Sequence, residues 1–307
     1  MLSNFLGFKN FQVFELQHQN KIIKDELYFE KELELNSYLL NNDFDSAIDL
    51  YLDCQKSNQL LFQNFTQILG QTIFNRKDFD QNLLQKIINK ETRPPYFLEY
   101  FVFEDDFHGH YQKALNETDF RSEFNESKEV FKKLFNGRKA FLKGEPFELP
   151  EVNLYELNYH LRSRYFELCL YHLCSIYAEV ENFVEETTES ILQMQSNNQD
   201  FHRTTIYAGR WCRALIYTGK YKIVLENEEW IQICKNMFYS PQDNIEFKAP
   251  LYTFLKLSGQ KLLPLDFYTQ NRWESSIIEA QLILSIAFNN QKAIKSFKKS
   301  LNLKLDI

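Results

Sequence analysis

The sequence predicts an all-α protein, two packed lobes of antiparallel helix pairs with no substantial sheet. Three observations carry that expectation. Glycine is scarce, with 8 copies in 307 residues, where average usage of about 7% would give roughly twenty. Apolar residues recur at three- and four-residue spacing along most of the chain, the stripe of an amphipathic helix, and 29 phenylalanines help to fill it. Alternating apolar and polar runs bounded by turn dipeptides, the mark of strands, are absent.

From Asp25 to Leu40 the stripe is Leu27, Tyr28, Leu33, Leu35, Tyr38 and Leu39, with Lys24, Glu30, Lys31 and Glu34 opposite. Asn41-Asn42-Asp43 breaks it, and Asp43 or Asp45 can cap a second helix, SAIDLYLDCQ, because a side-chain oxygen there satisfies an orphan amide. Further helices are expected over roughly 58–74, 79–90, 97–118, 124–142, 153–179, 181–195, 201–218, 221–238, 244–258, 273–288 and 291–303. The stretch from Leu161 to Tyr177 is apolar almost all round, and Ser276 to Phe288 has Glu279 as its only charge. Helices of that kind are buried, so these two are the expected spine.

Proline cannot continue a helix interior, and Pro94-Pro95, Pro146, Pro150, Pro241 and Pro264 mark joints. The longest non-periodic stretch, Lys143 to Val152, sets the expected lobes at 1–145 and 146–307. Gly70, Gly137, Gly144, Gly219 and Gly259 fall at or near proposed helix ends, where a left-handed C-cap wants them. Segments 39–51, 217–226 and 287–297 share a rhythm of helix end, polar turn and fresh helix. It resembles the turn of tetratricopeptide-type hairpins, at spacings too irregular for a repeat array.

Net charge is −7, with 42 acidic against 35 basic residues, and the pI is near 5.5. That balance argues against nucleic acid, whose binders carry a basic footprint, and favours a basic protein partner. Five cysteines, odd in number and without CxxC spacing, read as reduced core residues of a cytoplasmic protein. The opening MLSNFLGFKNF lacks the basic n-region of a secretory signal, and no uncharged apolar run approaches the roughly 18 residues of a membrane span. No membrane association is expected.

Chemistry-bearing clusters are few. EDDFHGH, Glu104 to His110, is rich in metal-ligand types, yet no companion ligands stand at suitable spacing, so a polar turn with no bound metal is expected. Cys169 and His172 lie three apart on one helix and share a face, with Cys174 pointing elsewhere; the apolar surroundings read as core. Phosphate loops, nucleophile elbows, HExxH and EF-hand patterns are missing, so neither catalysis nor a cofactor is expected.

Charge stripes carry more. Asp45, Asp49 and Asp53 stack at four-residue intervals, a repulsion of about 0.2–0.5 kcal/mol per pair that lysines from a neighbouring helix or a partner would offset. A second acidic run is Glu179, Glu181, Glu185, Glu186 and Glu189, followed by Arg203, Arg210 and Arg213 on a common face. Adjacent helices of opposite charge are expected to pair internally, the leftover acidity facing a basic partner. Asp45, Asp49, Asp53, Glu185, Glu186 and Glu189 are the candidate contacts.

In the C-terminal half, a tryptophan-containing helix from Trp230 to Tyr239, a polar break SPQDN, the helix FKAPLYTFLKLSG over 247–259 and then LLPLDFYTQ resemble the tail of the all-helical Immunity protein 49 family of bacterial polymorphic toxin systems. The resemblance covers about 40 residues and rests on spacing and residue class. It implies a non-enzymatic protein that binds and neutralises a cognate toxin. Two alternatives stand beside it: a helical adaptor, whose groove would be lined by aromatics or asparagines, and a metal- or thiol-dependent enzyme centred on EDDFHGH or Cys169/His172.

Overall fold

The computed structural model describes residues 30–57, 65, 68–69, 81–90, 125–154, 157, 159–196, 201–239, 245–262 and 274–304. All secondary structure among them is helical, and the chain divides into two compact units, Met1–Thr92 and Arg93–Ile307.

In the first unit residues 30–40 are helical and end on Asn42, which takes a left-handed φ of 57° while the Asp43 amide bonds back to the Tyr38 carbonyl. The Asp43 carboxylate then accepts from the Ser46 amide at 3.2 Å and its hydroxyl at 2.7 Å. Asp43, not Asp45, therefore caps the next helix, α1 (Phe44–Ser57). α1 buries Ala47, Ile48, Tyr51 and Cys54, and α2 (Gln81–Lys90) buries Ile87. The helices expected over 58–74 and 97–118 lie largely outside the described residues.

The second unit holds α3 (Asn125–Lys143), α4 (Tyr159–Ser175), α5 (Glu181–Ser196), α6 (Phe201–Tyr217), a 3-10 turn (Lys220–Val224), α7 (Glu228–Phe238), α8 (Ile245–Leu257), α9 (Glu274–Ala287) and α10 (Gln291–Ser300). The single helix expected over 221–238 is two elements, because the Asn227 side chain accepts from the Trp230 amide at 2.9 Å and starts α7. α6 is the true spine: every residue from Thr204 to Tyr217 is buried. At about 100° per residue its successive side chains reach different neighbours. Gly209 meets Phe247 of α8, Arg210 reaches Ser163 of α4, Trp211 donates to Thr188 of α5, Cys212 touches Cys234 of α7, and Arg213 grips Glu167 of α4. Of the two helices expected as the spine, α4 is buried all round from Glu167 to Tyr171 before it runs out to exposed Ile176 and Tyr177, and α9 packs between α8 and α10.

Residues 143–152 run within the second unit, which extends from Arg93. α3 and α4 pack closely: Phe141 stacks on Tyr171 with centroids 4.0 Å apart, and a Cβ on Gly137 would come within 2.8 Å of Leu168. Gly137 is thus a contact glycine inside α3, not a cap, and the backbone amide of Lys304 donates to the Leu142 carbonyl at 3.0 Å. Gly144, Gly219 and Gly259 do take left-handed φ and end helices; Gly70 lies outside the described residues. Asn42, Gly219 and Asn289, with φ of 57°, 69° and 50°, explain the likeness of 39–51, 217–226 and 287–297 as one helix-ending device used three times.

Tyr177 ends α4 in the same left-handed conformation, φ 56°, with 96% of its surface exposed. A side chain there costs about 1–2 kcal/mol, whereas glycine adopts it freely. Tyr177→Gly is expected to raise stability by about 0.5–1 kcal/mol once glycine's chain-entropy cost is counted, measured by urea denaturation; a loss would show that the tyrosine holds the turn.

Candidate partner-binding surface

The first acidic stripe is already engaged. Asp45 pairs with Lys86, and Asp49 with Lys90 at 2.5 Å, both across to α2, while Asp53 lies exposed a turn further on. Lysines of a neighbouring helix offset the stacked carboxylates. Such exposed pairs are worth about 0–1 kcal/mol, so a partner could displace them at small cost.

The second stripe is differently placed. Val184, Thr187, Thr188, Ile191 and Leu192 turn inward at helical spacing, which leaves Glu181, Glu185, Glu186 and Glu189 exposed on the opposite side of α5. Glu185, Glu186 and Glu189 line a concavity of about 700 Å³ whose other wall is Ile223 and Val224 of the 3-10 turn together with Asn227. Its floor is Thr188, fixed by donating to the Val184 carbonyl at 2.7 Å and accepting from the Trp211 indole at 2.9 Å. Among the described residues no cation pairs with the three glutamates. Residues 223–227 were not singled out from sequence. The readable sign was Asn227 ahead of Glu228-Glu229, an N-cap signature that splits the run.

Arg210 and Arg213 do not pair with α5, as adjacency had suggested. Trp211 occupies the α5 side of α6, also meeting Phe183 edge-on, so the arginines point toward α4, α8 and α9. Arg213 forks onto Glu167 with two bonds of 2.9 Å and lies 3.8 Å from Glu279. Arg138 of α3 pairs with Glu279 and comes within 3.6 Å of Glu167. Tyr171 donates to Glu167 at 2.8 Å, and Tyr217 to Glu279 at 2.7 Å. Arg210 donates to Ser163 at 2.6 Å and lies over the Phe247 ring. The side chain of Arg203 is outside what is described.

Burial opposes ionisation of Glu167, but the guanidiniums of Arg213, Arg138 and Arg164 outweigh it and hold the carboxyl down at about 2. Glu279 is lowered by the same contest with Arg138 and Arg213. Burial, helped by the adjacent carboxylates, pushes Tyr171 and Tyr217 well above their ordinary value. Desolvation, then neighbouring Arg213, lowers Arg164 to about 9. These groups are locked in one protonation state near neutrality, where general acid–base work needs one poised between two. The network is a structural clasp.

Cys169 and His172 form no couple. Burial pushes the Cys169 thiol up to about 11, and it is Tyr165 that hydrogen-bonds it; the His172 ring sits edge-on to Phe147. A protonated thiol is a poor nucleophile. EDDFHGH lies outside the described residues, and among the described residues no group of three or more ligand-type side chains gathers as a metal site. Nor is any described helix long and apolar enough to cross a membrane. No family model matches the chain, and neither a curated protein nor a solved structure matches it.

Proposed function

We propose that this is a non-enzymatic, cytoplasmic protein-binding protein, an immunity protein that neutralises a basic toxin by holding it against the α5 face. The observation behind the reading is the concavity lined by Glu185, Glu186 and Glu189, three exposed carboxylates with no cation beside them among the described residues. Like charges so close repel, and a basic side chain seated among them relieves that repulsion as it binds. Fields of this sign also speed association with a cationic partner. An adaptor groove would carry aromatics or asparagines; this lining has Asn227 and no aromatic ring, which favours the basic partner.

The test is co-expression with the product of the gene immediately upstream. Growth arrest by that product alone and rescue by this chain are expected; arrest without rescue, or no arrest, overturns the reading. Reversing Glu185, Glu186 and Glu189 together to lysine is expected to weaken binding to that product about 100-fold, largely through a slower on-rate, with unfolding free energy changed by less than about 1 kcal/mol. Unchanged affinity in calorimetry would remove the α5 face and turn attention to Asp45, Asp49 and Asp53.

A further inference from the structure

Cys212 of α6 and Cys234 of α7 place their sulfurs 3.7 Å apart, both thiols free and fully buried. A disulfide needs about 2 Å, so bonding asks for an approach of less than 2 Å between two side chains already facing each other. The positions lie 22 residues apart. The segment they enclose carries one wall of the acidic concavity, Ile223, Val224 and Asn227.

We propose that Cys212 and Cys234 are a reversible dithiol–disulfide pair whose oxidation by a peroxide staples α6 to α7 and stiffens that wall. One sulfur attacks a peroxide oxygen; an S–O bond forms, the O–O bond breaks, and water leaves. The second sulfur attacks the resulting sulfenic sulfur; the S–S bond forms, the S–O bond breaks, and a second water leaves with the remaining thiol proton. Two thiols lose two electrons to one peroxide, and a dithiol reductant reverses the change. Burial makes the reaction slow, since it pushes the Cys234 thiol well above its ordinary value and peroxide reaches the sulfurs only as α7 opens locally. The fold favours the product by holding the two sulfurs 3.7 Å apart, and the staple in turn stabilises the fold by removing freedom from the unfolded chain. The device holds whatever occupies the concavity.

The experiment treats the folded full chain with hydrogen peroxide, then denatures it and counts thiols. A fall from five to three is expected, with a 2 Da mass loss on one linked peptide pair containing Cys212 and Cys234. The thermal midpoint should rise by about 5–10 °C, amide exchange over residues 220–227 should slow, and all of this should reverse with dithiothreitol. Cys212→Ser should keep its remaining thiols under the same treatment. Five thiols persisting after the peroxide has converted a free small-molecule thiol in the same solution overturns the proposal. So does loss of two thiols from Cys212→Ser, a link through Cys54, Cys169 or Cys174, or a disulfide that leaves exchange over 220–227 unchanged.

Discussion

Glu167→Gln is expected to destabilise the second unit by about 3–5 kcal/mol, the usual cost of removing one partner from a buried ion pair. Amide oxygen can still accept from Tyr171, but it leaves Arg213, 5% exposed at the side chain, beside a neutral group. The same residue sets a pH dependence. Its carboxyl titrates at about 2 in the fold against an ordinary 4.5, so the folded state binds its proton less readily than the unfolded chain. Its contribution is complete above pH 4.5 and fades as pH falls from 4.5 to about 2; at about 1.4 kcal/mol per unit that is about 3 kcal/mol. Glu279, shifted in the same direction, acts over the same side of neutrality. Urea denaturation between pH 7 and 2.5 should show a steep acid loss in the parent chain and a shallower one in the variant. Equal stability and equal slopes would mean that the clasp is idle.

Gly209→Ala is expected to lower stability by about 2 kcal/mol despite alanine's helix preference. A Cβ there would lie 2.6 Å from the Cβ of Phe247 and 2.8 Å from its Cα. Backbone is what it meets, so α6 and α8 must separate, and overpacking of that kind costs about 1–3 kcal/mol or more. Helix propensity returns only about 1 kcal/mol. Displacing Phe247 also removes the ring beneath Arg210, 5.6 Å from its guanidinium carbon. Thermal denaturation checks this, and Gly219→Asn is the contrast: no atom lies within 4 Å of a Cβ there, asparagine tolerates the left-handed conformation, and little change is expected.

Helix ends were readable because their chemistry is local. Asn42, Gly219, Gly259 and Asn289 each carry the left-handed residue a C-cap needs, and the sequence offers asparagine or glycine at each. The central role of α6 was hidden for the opposite reason. Its arginines read as partners of the acidic run on α5, yet Arg213 and Arg210 are buried against Glu167 and Ser163 of α4, 46 and 47 residues away. The rotation of α6 about its axis, fixed by Trp211 on Thr188, decides which way Arg213 points, and no spacing within the helix reveals it. The acidic run on α5 was legible as a charged face. Its concavity was not, because the second wall comes from residues 223–227, which had been read as plain helix.

The clasp also bears on how the chain is made. Arg138 and Glu279 are 141 residues apart, and Tyr217 reaches Glu279 across 62. A nascent chain synthesised at about 5–20 residues per second waits roughly 7–30 s between the first of these side chains and the last. Until α9 leaves the ribosome, Arg138 and Arg213 lack the second carboxylate that closing the interior requires. The core of the second unit therefore completes late in synthesis, and a product truncated before Glu279 carries its own mark for proteolysis: an interior that stays open.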